Sequence, residues 1–275
     1  MGGYETQIMN ISILGCGWLG LPLAKALLDG GYTVKGTTTN REKMTVLSSE
    51  GIMPYLINLH SEGVQGDLTA FLSEADILII DIPPGLRNDP DANFIGKIGR
   101  LKDYIKKSGV KKVLFVSATS VYEDSPEFPV YTENDPANGT AENSKQLRSA
   151  EELLKNSESF TTSIVRFGGL FGPGRNPVNF LAGKKDVKNP KAPVNLIHLE
   201  DCIGIILEII NKEAWGEIFN AVSSEHPNRE DYYSRKATEN KLPFPEFDQD
   251  EVSIGKIIGY VNLNEKLDYS FKQGI

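Results

Sequence analysis

Short apolar runs alternate along this chain with longer stretches in which apolar residues recur every three or four positions. NISILGC (10–16) predicts a strand, and WLGLPLAKALLDGG follows with Leu19, Leu23 and Leu27 at helical spacing and Gly30–Gly31 as a stop. YTVKGT (32–37) predicts a second strand, REKMTVLSSEG a helix and IMPYLIN a third strand. ADILIIDIP (75–83) is apolar without alternation, as a parallel strand covered on both faces would be. NFIGKIGRLKDYIKKSG reads as a long amphipathic helix, VKKVLFVSA as a buried strand, SAEELLKN as part of a helix and FTTSIVRFG as a strand. Strand and helix in alternation imply right-handed crossovers and an α/β fold with a doubly wound parallel sheet.

After Phe171 the rhythm changes. GPGRNP is a turn-rich break. VNLIHLEDCIGIILEIINK predicts a short strand and then a helix with Asp201 as its N-cap. EIFNAV reads as a strand and NREDYYSRKATENK as a polar helix. The expected organisation is a main domain over 1–171, then a mostly small C-terminal α/β lobe over 172–275 in which 194–221 returns to the main sheet. No internal repeat or low-complexity linker interrupts it.

Composition narrows the class. A chain of 275 residues, 40% hydrophobic and 24% charged, buries roughly 75% of its unfolded surface and needs neither disulfide nor metal to hold a core. The net charge of −8 argues against nucleic acid or an anionic membrane as partner. Two cysteines, Cys16 and Cys202, form no disulfide framework, so a reducing cytoplasm is the expected location. His60, His198 and His226 have no Cys partners at metal-ligand spacing. The stretch MGGYETQIMN is too short and polar for a signal peptide, and no apolar run approaches the ~20 residues of a membrane span.

Candidate chemistry begins with GCGWLG. Gly15, Gly17 and Gly20 match G-x-G-x-x-G where a predicted strand ends and a helix opens, the context that gives this pattern meaning. The first glycine permits a tight turn, the second a close approach to a pyrophosphate, and the third close packing of helix on strand. The amides of the turn and of the helix start, Trp18 and Leu19 included, then face the phosphates. The pattern predicts a Rossmann-type dinucleotide site, with a glycine turn that holds no ligand as the alternative. An NAD site usually carries Asp or Glu at the end of the second strand. KGTTTNR (35–41) has none there; it offers Thr37, Thr38 and Thr39 as hydroxyl partners and Arg41 as partner for a 2′-phosphate. NADP(H) is therefore the preferred cofactor, with NAD(H) the alternative. Ile82 and Pro83 at the end of the ADILIIDIP strand, and Ser117 at the end of the next, complete the expected cofactor contacts.

SATSVYED (117–124), VRFGGLFGPGR (165–175) and VNLIHLEDC (194–202) follow the glycine loop in an order and spacing similar to those of extended short-chain dehydrogenase/reductases. That family includes NAD(P)-dependent sugar-nucleotide epimerases and dehydratases, and the resemblance covers nearly the whole chain. It implies cofactor across the C-terminal edge of the sheet, a small substrate lobe and, often, a homodimer. It also implies a catalytic Ser or Thr, a Tyr and a Lys four residues after the Tyr, in which the Lys and the nicotinamide cation favour the phenolate of a tyrosine that ordinarily ionises near ~10. Here the chain departs. Anchored on Val121–Tyr122, the Ser/Thr position is Ala118. Anchored on Lys145, the Tyr position is Ala141; anchored on AEELL, the pair is Asn143 and Leu147. Neither register supplies a tyrosine, and neither alanine transfers a proton. Tyr232 and Lys236 have the right spacing but lie in the small lobe, so the pair reads as coincidence. The chain resembles an atypical family member with the usual acid/base residues replaced.

Ser117, Thr119, Ser120 and Tyr122 end a strand that points into the expected cleft; the weak catalytic candidates are Ser120, Tyr122 and Lys145. Lys145 also matches, in one register, the family lysine that bonds the nicotinamide ribose. Arg166, Arg175 and His198 are weak substrate candidates, with an ion pair the competing role for Arg166 and core packing for His198. Lys184, Lys185, Lys188 and Lys191 read as a solvated charge run. The expected function is an NADP(H)-binding oxidoreductase or epimerase/dehydratase-like protein acting on a small polar molecule, a nucleotide sugar or an anion. The alternative is a non-catalytic NADP(H) sensor. A hydroxyacid-dehydrogenase-like reading of GCGWLGLPLAKAL is opposed by the two later motifs, because that group continues into an all-helical domain.

Overall fold

The computed structural model describes residues 9–86 and 89–275. Residues 1–8 of the N-terminal stretch discussed above lie outside them. In chain order the elements are β1 Asn10–Leu14, α1 Gly20–Asp29, β2 Thr33–Thr38, α2 Arg41–Ser49, β3 Met53–Leu56, β4 Asn58–Leu59, β5 Val64–Gln65, α3 Leu68–Leu72, β6 Ile77–Ile80, α4 Phe94–Ser108 and β7 Lys112–Ala118. There follow β8 Val130–Tyr131, α5 Glu142–Lys155, β9 Thr161–Phe167, β10 Gly169–Phe171, β11 Leu196–His198, α6 Leu199–Asn211, β12 Ile218–Ala221, α7 Arg229–Glu239, β13 Ile257–Ile258 and α8 Asn262–Glu265. A seven-stranded sheet runs β12-β9-β7-β6-β1-β2-β3. Its pairs from β3 through β2, β1 and β6 to β7 are parallel, the arrangement that the unbroken apolar runs predict.

Local chemistry sets the element ends. Asn40, Asp67 and Asn93 accept the amides of Glu42, Ala70 and Gly96 at the starts of α2, α3 and α4. Gly109, in the left-handed region at φ +85°, stops α4, whose last turn carries Lys106 and Lys107.

The chain folds into two compact units: Met1–Ser117 with Gln146–Val165 and Glu213–Glu217, and Ala118–Lys145 with Arg166–Lys212 and Ile218–Ile275. In the first, all four residues of β6 are fully buried, as are Ile13, Leu23 and Leu27, and Ile98 and Leu101 of α4. Burial of each such side chain stabilises by about 1.5–3 kcal/mol, so β6 is the axis of this core. No helix among the described residues is long and apolar enough to cross a membrane.

The second unit contains the two-stranded pair β10–β11, and β13 pairs with β8. Its α6 differs from expectation. The N-cap is His198, not Asp201: the ring accepts the Glu200 amide, and α6 starts at Leu199. Asp201 in the first turn is fully buried. Its carboxylate accepts the amides of Lys272 at 2.7 Å and Gln273 at 3.2 Å, and the Tyr269 hydroxyl at 3.0 Å. An acid that ties down a segment some seventy residues on is indistinguishable, from its neighbours in sequence, from one that caps its own helix.

Asp201→Ala should therefore lower stability by about 3 kcal/mol or more: the two shorter charge-assisted bonds, from the Lys272 amide and the Tyr269 hydroxyl, contribute roughly 1.5 kcal/mol or more each, and loss of the longer Gln273 bond adds to this. Urea denaturation measures this loss, with the midpoint falling.

Candidate functional site

The glycine loop joins β1 to α1 inside the first unit. Gly15 has φ +108°, and a Cβ there would sit 2.1 Å from the Asp81 carbonyl oxygen. A Cβ on Gly20 would sit 2.1 Å from the Gly15 carbonyl oxygen. Both positions accept only glycine, because backbone meets backbone. Gly17 differs: no atom lies within 4 Å of where its Cβ would be, so its surface is open. The N-cap position of α1 is Leu19, which supplies no side-chain cap, and the first turn contains no acidic residue of its own. Amides at such a helix start favour an anion.

The loop is fastened from β2. Thr37 Oγ1 accepts the Gly15 N–H at 2.8 Å, and the Thr37 carbonyl accepts the Cys16 N–H at 2.9 Å. The Thr37 hydroxyl, expected to face cofactor, thus holds the loop. Thr38 Oγ1 accepts the Asn40 amide at 3.1 Å and so supports the start of α2. Arg41 begins α2 exposed, and it has no ion-pair partner among the described residues.

A cavity of about 360 Å³ spans this region, lined by the loop, Thr37–Thr39, Lys43, Ile57–Leu59, Asp81, Ile82, Pro83 and Lys97. It gathers Gly15, Gly17, Thr37, Thr38, Ile82 and Pro83 of the expected cofactor contacts. The residues fit a dinucleotide: an open glycine, a helix start without a cap from its own N-cap residue, two apolar side chains and two lysines. Lys43, Lys97 and Asp81 escape sequence reading. Lys97 sits in an ordinary amphipathic helix, and Asp81 ends a buried strand, where nothing local signals chemistry. Burial pushes the Asp81 carboxyl up to about 7, partly offset by the Gly20 amide donating to it. Burial, reinforced by the charge of Asp81, pushes the Cys16 thiol up to about 12, so this thiol is inert rather than activated.

The remaining candidates have other surroundings. Ser117, at the edge of the first unit, is buried and donates to Glu151 Oε1 at 2.6 Å. In the second unit Tyr122 is 1% exposed. Its hydroxyl accepts from Arg166 Nη1 at 2.7 Å and faces the Thr132 carbonyl at 2.9 Å and Asn220 Oδ1 at 3.1 Å. The Arg166 guanidinium also lies 5.1 Å from the Tyr122 ring centroid. Burial raises the Tyr122 ionisation above its ordinary value. Ser120 accepts from Asn143 Nδ2 at 3.4 Å, and its carbonyl accepts the Ser144 hydroxyl. Lys145 is exposed on α5, and Ala141 is exposed just before that helix.

Arg175 and His198 line a second cavity of about 220 Å³ together with Tyr232, Lys236, Glu239 and Asn240. His198 Nδ1 accepts the Glu200 amide at 3.3 Å, which directs Nε2 to the Gly172 side. Lys236 pairs with Glu239 at 3.2 Å and lies 5.8 Å from the Tyr232 ring centroid. Tyr232 packs with Val194, Leu196 and Ile275, and burial pushes its hydroxyl up to about 12. Among the described residues no cluster of three or more His, Cys, Asp or Glu is placed to hold a metal.

Comparison with known proteins agrees with this geometry. A family described as NAD(P)H-binding matches residues 15–198. Protein YeeZ of Escherichia coli strain K12 is 32% identical over 266 residues, covering 96% of each chain. The solved structure of MoeE5 in complex with UDP-glucuronic acid and NAD superposes with a TM-score of 0.78 at 15% identity, over 96% of this chain and 94% of that one. UDP-glucose 4-epimerase from Thermotoga maritima with UDP-glucose superposes with a TM-score of 0.78 at 17% identity, over 97% of this chain and 94% of that one. The chain belongs to the NAD(P)H-binding family, and its Rossmann-type fold is the one shared by short-chain dehydrogenase/reductase and NAD-dependent epimerase/dehydratase proteins.

Proposed function

We propose that this protein binds NADP(H) in the cavity of its first unit and acts as an oxidoreductase or epimerase/dehydratase-like enzyme on a small polar substrate, a nucleotide sugar or another anion. The observation that carries this reading is the glycine loop, where Gly15 and Gly20 are packed beyond the tolerance of any side chain while Gly17 faces open space. Such a pattern is wasteful for a mere turn and apt for a backbone that receives a pyrophosphate. When bound, the cofactor supplies or accepts a hydride. The loop amides hold its phosphates, Ile82 and Pro83 cover its apolar parts, and Arg41 and Lys43 meet a 2′-phosphate. The absence of an acid from KGTTTNR and the exposed guanidinium of Arg41 support NADP(H) over NAD(H). The UDP-sugar complexes of MoeE5 and the Thermotoga epimerase support the nucleotide-sugar side of the proposal. Arg175, His198 and Lys236 around the second cavity support the anionic side.

A second reading, a non-catalytic NADP(H) sensor, is favoured by one observation. The Tyr122 hydroxyl is buried and tied into a polar network, while Ala118 and Ala141 offer no proton. Oxidation of NADPH against panels of carbonyl compounds and nucleotide sugars separates the two readings. Turnover that is lost in Lys145→Ala or Ser120→Ala supports the enzyme, and cofactor binding without turnover on any panel supports the sensor.

Gly17→Val should leave stability within about 0.5 kcal/mol, as at other open positions, yet weaken NADPH binding by roughly tenfold or more, about 1.4 kcal/mol. Thermal melting and fluorescence titration measure the two effects. Arg41→Ala should weaken NADPH roughly 10- to 100-fold, the worth of charge-assisted bonds at about 1.5–3 kcal/mol, and leave NADH unchanged. Equal losses for both cofactors would overturn the assignment of Arg41 to the 2′-phosphate.

A further inference from the structure

The first amide of α1 does not face an empty cavity. Asp81, just beyond β6, places Oδ2 3.1 Å from the point a Gly20 Cβ would occupy, and the Gly20 N–H donates to its carboxylate. Asp81 lines the same cavity as Gly15, Cys16 and Gly17. The helix start that suits a phosphate is thus already served by a protein acid, brought from a strand more than sixty residues away in sequence.

The charged and titratable groups around it are few. Lys43 from α2 and Lys97 from α4 line the cavity, β2 contributes only the hydroxyls of Thr37–Thr39, and the loop contributes the neutral thiol of Cys16. Burial raises the Asp81 carboxyl, and the Gly20 amide partly offsets that rise. An ionised Asp81 is an acceptor with no hydrogen to offer, set beside phosphate oxygens that are also acceptors only. A neutral Asp81 removes the repulsion and offers one O–H donor.

We propose that Asp81 makes dinucleotide binding proton-linked: the cavity takes the cofactor with the Asp81 carboxyl neutral and resists it with the carboxylate ionised. This rests on the dinucleotide reading of the cavity given above. Since burial pushes the ionisation of Asp81 up to about 7, the response falls in the neutral range. The sign follows from linkage. The phosphates hold the Asp81 proton more tightly in the complex than in the free protein, so affinity is level below the free-protein ionisation and falls above it, by at most about tenfold per pH unit. Folding carries the same sign. The folded carboxyl ionises well above the unfolded value of about 3.9, so stability is full below that value and falls as pH rises toward 7.

The test is NADPH titration by fluorescence at pH 6, 7 and 8 with the wild-type protein and Asp81→Asn. Wild type should bind about tenfold more weakly at pH 8 than at pH 6 beyond any slope of the variant. The variant carries the same contribution from the 2′-phosphate, which titrates near ~6, and should bind more tightly than wild type at pH 8. Calorimetry on wild type alone at pH 8, in two buffers of different ionisation enthalpy, should report uptake of close to one proton per NADPH bound, a readout that does not depend on the variant folding. Equal pH slopes in the two proteins, or binding without proton uptake, would overturn the role of Asp81 and leave the cofactor site standing. Failure of both proteins to bind NADPH or NADH at every pH would overturn the dinucleotide reading, and this inference with it.

Discussion

The close approach of three backbone segments governs this molecule. The end of β1, the start of α1 and the end of β6 meet where a Cβ on Gly15 or Gly20 would lie 2.1 Å from a carbonyl oxygen. Contacts that short exclude every side chain, so two glycines are a condition of the packing rather than an ornament of it. The contact sets the start of α1 beside a cavity that Gly15, Cys16 and Gly17 line. It also carries Asp81, attached to the third of those segments, to the same place. A phosphate-receiving geometry and an acid that contests it thus arise from one packing event.

The electrostatics of the cavity follow from what surrounds it. Burial moves the Asp81 carboxyl into the neutral range, and burial together with the charge of Asp81 moves the Cys16 thiol far above it. Both shifts have the same main origin: a charged form is costly where water is scarce. Lys43 and Lys97 line the same cavity and bring positive charge to it.

In the second unit, the hydroxyl and guanidinium groups that look like chemistry in the sequence are largely structural. Tyr122, Arg166 and Asn220 satisfy one another inside the protein, and the Glu133 carboxylate accepts the amides of Asn220 and Val261. Unpaired, each would incur a desolvation cost of about 1–3 kcal/mol; paired, they hold together the segments of the second unit around Tyr122. The His198 ring has a similar use as the cap of α6, and it still lines the second cavity.

By itself the sequence determined the alternation of elements, the parallel sheet, the identity of β6 as a covered strand and the place of the glycine loop between β1 and α1. Each of these is set by spacing within a few residues, because side-chain periodicity and backbone freedom are local properties. The tertiary structure alone decided which polar atoms meet which amides. Asp81 on Gly20, Thr37 on Gly15, and Asp201 on Lys272 and Gln273 join residues 22 to 72 positions apart. Those pairings depend on how crossovers stack strands and helices, and a run of neighbouring residues carries no trace of them.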